Sequence, residues 1–291
     1  MKKWIIILLV FAVFIISFGF IFTATTEHRA AEKKKAANQV KAKEKKKAKQ
    51  SIEIGTPTLF VHGYAGTKNS LGHMMSRLEE ADGAHKALTI TVKKDGTLSV
   101  HGKYDKYTRR PLIQVLFEDN KSSMVNQTKW LKTVCATLKR DYHISRINVV
   151  AHSMGGVSFT NYLEETSTQN AYPITEKLVL IGAPINGLAI GDSRYNLSEN
   201  GPKTETERYA NLYKNREKIA KSIQVYTIAG DVLDGTESDG SVPLASALSA
   251  KFIFQNVTSY SEKVFSGKTA SHSNLHENEE IDQAVSEFLW D

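Results

Sequence analysis

Cysteine is almost missing from this 291-residue chain: Cys135 stands alone, so no intrachain disulfide can form. It lies in an apolar helical pattern with Val134 and Leu138, which reads as a buried structural thiol. No His/Cys cluster with metal-ligand spacing and no glycine-rich loop of the phosphate-cradling kind occurs, so neither a metal nor another cofactor is expected. Internal repeats are absent as well. Net cationic charge is absent from most of the chain. The net charge of +7 arises in residues 1–50, where 12 Lys and Arg face 3 Glu; of the totals of 38 and 31, this leaves 26 basic and 28 acidic residues for positions 51–291. A near-neutral main domain offers no footprint for a phosphate backbone, which argues against nucleic acid as a partner.

Long uncharged runs are equally rare, with one exception. Trp4 to Phe22 carries no charge over 19 residues, about 28 Å as a helix and close to the hydrocarbon thickness of a bilayer. The run exceeds a typical cleavable signal core, and Phe22 occupies a position where cleavage after Ala24 would need a small residue. Residues 1–24 therefore read as an uncleaved signal anchor, with a cleaved, secreted form as the second choice. Lysines and arginines are more numerous after the span, which taken alone would hold the domain inside. Thr23 to Glu27 carries no positive charge, however, and long domains cross largely regardless of charge. A single-pass protein with its domain outside the cell is the expectation. Residues 25–50, with Lys33 to Lys35 and Lys45 to Lys47, read as a solvated linker able to approach anionic lipid or an anionic wall polymer.

Residues 51–291 alternate short apolar runs with helical stretches, the signature of a mostly parallel sheet flanked by helices. Strands are expected at 58–61, 112–117, 147–150, 177–181, 223–228 and 251–254. The apolar spacing predicts helices over 70–80, 122–139, 156–165, 242–250 and 278–290. Alternation around Asp95-Gly96 from Leu88 to His101 predicts an inserted β-hairpin. A loop-rich segment, 182–221, turns helical from about Thr204 and follows a sheet strand, where it could cap a pocket.

Within this frame, Ile147-Asn-Val-Val-Ala-His-Ser153-Met-Gly-Gly-Val157 is an apolar strand running into a tight turn. A serine at such an apex needs neighbours with almost no side chain, and Gly155 and Gly156 supply the room; Ala151 stands where the commonest pattern has glycine. Serine becomes a nucleophile only when a histidine takes its proton and a carboxylate fixes that histidine's tautomer. On a sheet of this kind the chain order is Ser, acid, His. Only His272 and His276 follow Ser153. His276 lies near a helix start, and His272 sits earlier, in the loop, so His272 is preferred. For the acid, Asp239 and Asp231 both follow the strand at 223–228. Asp239 precedes a Gly turn and is preferred, and Asp231 suits a strand-end turn, with Asp234 and Glu237 as remote contenders. Two backbone amides must hold the developing oxyanion, one after the nucleophile, Met154, and one in the loop after the first strand, Tyr64 of His62-Gly-Tyr-Ala-Gly66. His62 and His152 read as supports of the two turns.

Four stretches, His-Gly-Tyr-Ala-Gly, Ala-His-Ser-Met-Gly-Gly, Ser-Asp-Gly-Ser-Val-Pro and His-Ser-Asn-Leu-His-Glu-Asn, occur in order. Together they resemble the α/β-hydrolase superfamily, and more closely the membrane-anchored cell-surface hydrolases of Gram-positive bacteria related to small bacterial lipases. The resemblance covers about residues 55 to 291. It implies an α/β-hydrolase fold and supports His272, with Leu275 behind it, and Asp239. The expected activity is hydrolysis of a small-molecule or lipid carboxylic ester, with acyl transfer or thioester cleavage by the same residues as alternatives, and a non-catalytic binding role as a more distant one.

Overall fold

The computed structural model describes residues 55–291. The expected span at 4–22 and the Lys-rich stretch at 25–50 lie outside them. Among the described residues, no helix is long and apolar enough to cross a membrane.

Eight strands form one sheet in the order β10-β9-β6-β5-β1-β4-β2-β3. They are β1 (Thr58–Val61), β2 (His85–Val92), β3 (Leu98–Gly102), β4 (Pro111–Phe117), β5 (Arg146–His152), β6 (Ile174–Ile181), β9 (Gln224–Asp231) and β10 (Ser259–Ser266). Every neighbouring pair is parallel except β2 and β3. The central strands are apolar at nearly every position because both faces are covered. Along β5, Ile147, Val149 and Ala151 enter one core and Val150 the other. The first core is roofed by α2 (Met124–Asp141), α3 (Met154–Thr166) and α4 (Glu207–Asn215), and the second by α1 (Gly72–Asp82) and α7 (Glu279–Trp290). Cys135 is fully buried in the first core, and burial pushes its thiol up to about 12.

One sequence expectation needs correction. The run Lys251 to Phe254 is not a strand: Ala250–Ile253 is a short helix, α6, following α5 (Leu244–Leu248). Ile253 and Phe254 are buried from a helical turn, and four apolar-rich residues cannot distinguish that from a buried strand. The last strand is instead Ser259–Ser266, an edge strand whose outer positions are exposed and whose polar composition hides it. The hairpin at Asp95-Gly96 exists, with Val92 opposite Leu98. It lies between α1 and β4, as expected, and β2 also pairs in parallel with β4, so the hairpin extends the main sheet.

Segment 182–221 carries a small hairpin, β7 (Leu197–Ser198) and β8 (Gly201–Pro202), and then α4, capped by Thr206 accepting the Tyr209 amide. Its start is fastened from three sides. Asn186 donates to the Thr204 carbonyl and accepts the Thr206 amide, Ser246 donates to the Gly187 carbonyl, and Arg208 donates to the Pro184 carbonyl.

Glu164 on α3 is turned into this layer. It is 8% exposed, its Oε1 has no partner among the described residues, and burial pushes its carboxyl up to about 8, with Lys218 offsetting part of the shift. An unfolded Glu releases its proton near 4.5. Between those values the folded state holds a proton that the unfolded chain has lost, so this group lowers stability as pH rises from 4.5 to 8. Glu164→Gln is expected to raise the urea midpoint at pH 8, a gain on the order of 3 kcal/mol, and to leave it nearly unchanged at pH 4.5. Equal gains at both values would trace the effect to packing instead.

Candidate active site

Ser153 lies between the end of β5 and the start of α3, at φ 55° and ψ −129°. Such a backbone is strained for a residue with a Cβ and persists only where its surroundings impose it. Here the imposing contacts are close ones. A Cβ on Gly155 would lie 2.5 Å from the His62 carbonyl oxygen and 2.8 Å from that of Val61, so α3 begins hard against the end of β1. A Cβ on Gly63 would lie 2.7 Å from the Ser153 Cβ, which means that the loop after β1 passes directly over the elbow. The Ser153 amide is anchored to the Ile181 carbonyl of β6.

His272 follows β10 and Asp239 follows β9, and the structure brings both to Ser153. Ser153 Oγ is 2.9 Å from His272 Nε2, and His272 Nδ1 is 2.7 Å from Asp239 Oδ2. A carboxylate can only accept, so the imidazole proton sits on Nδ1 and leaves the Nε2 lone pair for the serine hydroxyl. The Asp239 carboxylate is itself gripped. Its Oδ1 accepts the amides of Ser241 and Val242 at 2.9 and 2.6 Å, and the residue is 1% exposed. The His272 amide donates to the Asp239 carbonyl at 2.8 Å, fastening one loop to the other.

The competing acids and base lie elsewhere in the same loops. Asp231 Oδ1 accepts the Leu233 amide, Asp234 Oδ1 accepts the Thr236 amide and hydroxyl, and neither bonds His272. The ring of His276 packs on His152, and its Nδ1 bonds Glu277. Glu277 also meets His73 and Arg77 of α1.

Met154 opens α3, and Tyr64 sits in the β1 loop with its side chain 59% exposed. A Cβ on Gly63 would be 3.2 Å from the Met154 nitrogen, so the residue before Tyr64 and the residue after Ser153 flank the same space. Among the described residues, neither amide has a backbone acceptor. A developing oxyanion requires two such free N–H donors.

His62 and His152 do more than support turns, and the sequence carries little signal for their partners. His62 Nε2 accepts the Phe117 amide at 3.1 Å and its Nδ1 reaches the Gly63 carbonyl at 2.8 Å, which ties β1 to the end of β4. An acceptor at Nε2 requires neutral imidazole, and burial lowers its pKa accordingly. His152 bonds the backbone of His272, 120 positions away.

Among the described residues, no three His, Cys, Asp or Glu side chains converge as metal ligands would. A cleft of about 830 Å³, around Tyr104, Tyr107 and Tyr142, opens where β1 and β5 begin, at the opposite end of these strands from Ser153, and shares no residue with this site.

A parallel sheet with a strained serine between strand and helix, an acid after the next-to-last strand and a histidine after the last defines the α/β-hydrolase class. The chain belongs, within it, to the family described as alpha/beta hydrolases of unknown function (DUF915), which it matches over residues 45–291. A Listeria innocua gene product of known structure is 31% identical, with a TM-score of 0.77 over 81% of this chain and 94% of that one. A proposed cell surface hydrolase from Lactobacillus plantarum is 27% identical, with a TM-score of 0.67 over 81% and 92%. The Bacillus licheniformis lipase BlEst2, at 16% identity and a TM-score of 0.50 over 81% and 92%, shares the fold alone. No curated protein matches the chain.

Proposed function

We propose that this α/β hydrolase is a serine esterase that cleaves carboxylic esters through an acyl-enzyme. The observation that carries the reading is the continuous hydrogen-bonded path from Ser153 Oγ through His272 to Asp239, at 2.9 and 2.7 Å. In the first half-reaction Ser153 Oγ bonds the acyl carbon as its proton passes to His272 Nε2. Asp239 keeps the imidazole oriented and balances the imidazolium. The Tyr64 and Met154 amides hold the oxyanion, which then collapses and expels the alcohol with the proton from His272. Water, deprotonated by the same imidazole, attacks the acyl-enzyme and releases the acid. An alcohol or thiol acceptor would follow the same route, so acyl transfer is the second reading.

The cellular setting in this proposal is an outer cell surface. It is supported by the uncharged run at 4–22, long enough for a bilayer, and by the similarity to the Lactobacillus plantarum protein. The Lys-rich stretch at 25–50 would then be a linker lying within reach of anionic lipid or wall polymer.

The test is labelling of the detergent-solubilised full chain with a fluorophosphonate, which phosphonylates only an activated serine. Wild type is expected to label at one site, and a Ser153→Ala chain not at all. A folded wild type that stays unlabelled would overturn the proposal. Labelling followed by ester exchange faster than hydrolysis, with an added alcohol, would favour acyl transfer.

A further inference from the structure

Three imidazoles are packed in a row beneath the site. The ring of His152 lies 4.6 Å from that of His272 on one side and 4.7 Å, edge to face, from that of His276 on the other. His152 immediately precedes Ser153, at the end of β5, and is only 6% exposed. Its Nε2 is 3.0 Å from the carbonyl oxygen of His272. A carbonyl can only accept, so that nitrogen carries the proton and donates it.

The peptide of His272 is thereby held at both ends. Its N–H donates to the Asp239 carbonyl at 2.8 Å, and its C=O receives the His152 N–H. The first bond alone would leave the residue free to pivot about the Asp239 loop. The second comes from the strand that carries the nucleophile, and so references the base directly to Ser153. Among the charged groups around the histidine cluster, the Asp239 carboxylate bonds His272. His62 lies close enough to act on His152, Glu277 bonds His276, and Arg77 of α1 donates to the His276 carbonyl and to Asp282 of α7. Burial and the neighbouring imidazoles keep His152 neutral, with its pKa well below 6.5. A neutral ring donates one proton to His272 and adds no positive charge beside the imidazolium formed there during turnover.

We propose that His152 is a positioning residue: by donating from Nε2 to the His272 carbonyl it fixes the His272 loop on the elbow, so that the base meets Ser153 Oγ in line. This rests on the serine-hydrolase reading above. The bond spans 120 positions and joins the nucleophile's own strand to the loop of the base, so its loss should loosen the one distance on which proton transfer depends. Misplacement of a reacting group by about 1 Å is enough to cost about 10²-fold in rate.

The experiment compares full-length His152→Gln, His152→Met and His152→Asn with wild type and with Ser153→Ala, by fluorophosphonate labelling rate, by kcat and KM on a short-chain ester, and by thermal unfolding. Gln reaches the Nε2 position with an amide donor, Met has the same length without a donor, and Asn has a donor that falls short. The expected result is a Gln variant within about fivefold of wild type, and Met and Asn variants about 10²-fold lower in kcat and labelling rate, with KM unchanged. Met or Asn variants as active as Gln, or a Gln variant as impaired as Met, would overturn the proposal. Should the Met variant fail to fold, the Gln and Asn pair makes the same comparison. A wild type that shows no Ser153-dependent labelling would instead bring down the hydrolase reading itself, a distinct outcome.

Discussion

Ser153→Ala is expected to lower kcat for ester hydrolysis by on the order of 10⁶, and His272→Ala by about as much. Each removes an indispensable half of one event. Without Oγ no acyl-enzyme forms, and without the imidazole the hydroxyl keeps its proton and remains a poor nucleophile. The double variant should be no worse than either single one, because the second change removes a group that no longer has a partner. A residual rate above water would come from the Tyr64 and Met154 amides and from substrate binding. Folding should hardly register the change at Ser153. Alanine meets the same backbone strain at φ 55°, and the lost bond to His272 is worth about 1 kcal/mol. Kinetics and thermal unfolding of the three variants check the prediction. Losses that multiply in the double variant would mean that the two residues act separately.

Asp239→Asn should cost on the order of 10⁴ in kcat with little change in stability, because it inverts a tautomer. The geometry dictates which way the new amide must lie. Two backbone N–H groups, from Ser241 and Val242, point at the Oδ1 position. They demand an oxygen there, so the Asn NH₂ is forced into the Oδ2 position, 2.7 Å from His272 Nδ1. Nδ1 must then accept, which moves the imidazole proton to Nε2 and points a donor at Ser153 Oγ where an acceptor is needed. Burial at 1% leaves no water to relieve the mismatch. Asp239→Ala, which cannot force the tautomer, should be impaired by no more than the Asn variant. A D239N enzyme with near-wild-type kcat would remove Asp239 from the relay.

Much of this site is legible in the sequence. Chain order left two histidines, and turn chemistry separated Asp239 from Asp231, whose carboxylate indeed caps its own turn at Leu233. The elbow was readable because a strained serine between strand and helix restricts its neighbours to small residues, and a sequence displays small residues plainly. What stayed hidden depends on partners distant in sequence. Nothing near His152 announces that its ring will meet the His272 carbonyl, and nothing near His62 that it will accept the Phe117 amide. The strands followed the same rule. Buried β5 and β6 carry their apolar runs openly, whereas β10, exposed along most of its length, reads as polar loop. The apolar Lys251 to Phe254 run took its place for that reason.

That unassuming edge strand has a temporal consequence. The nucleophile is complete once residue 153 has been made, yet its base arrives only with the loop that follows residue 266. A nascent or prematurely terminated chain ending before residue 272 would carry the serine without its base. Such fragments would hold Ser153 with no imidazole to accept its proton. The contact between Ser153 and His272 can form only when the final strand docks on β9 and delivers the loop behind it, so the last part of the chain to be made completes the site.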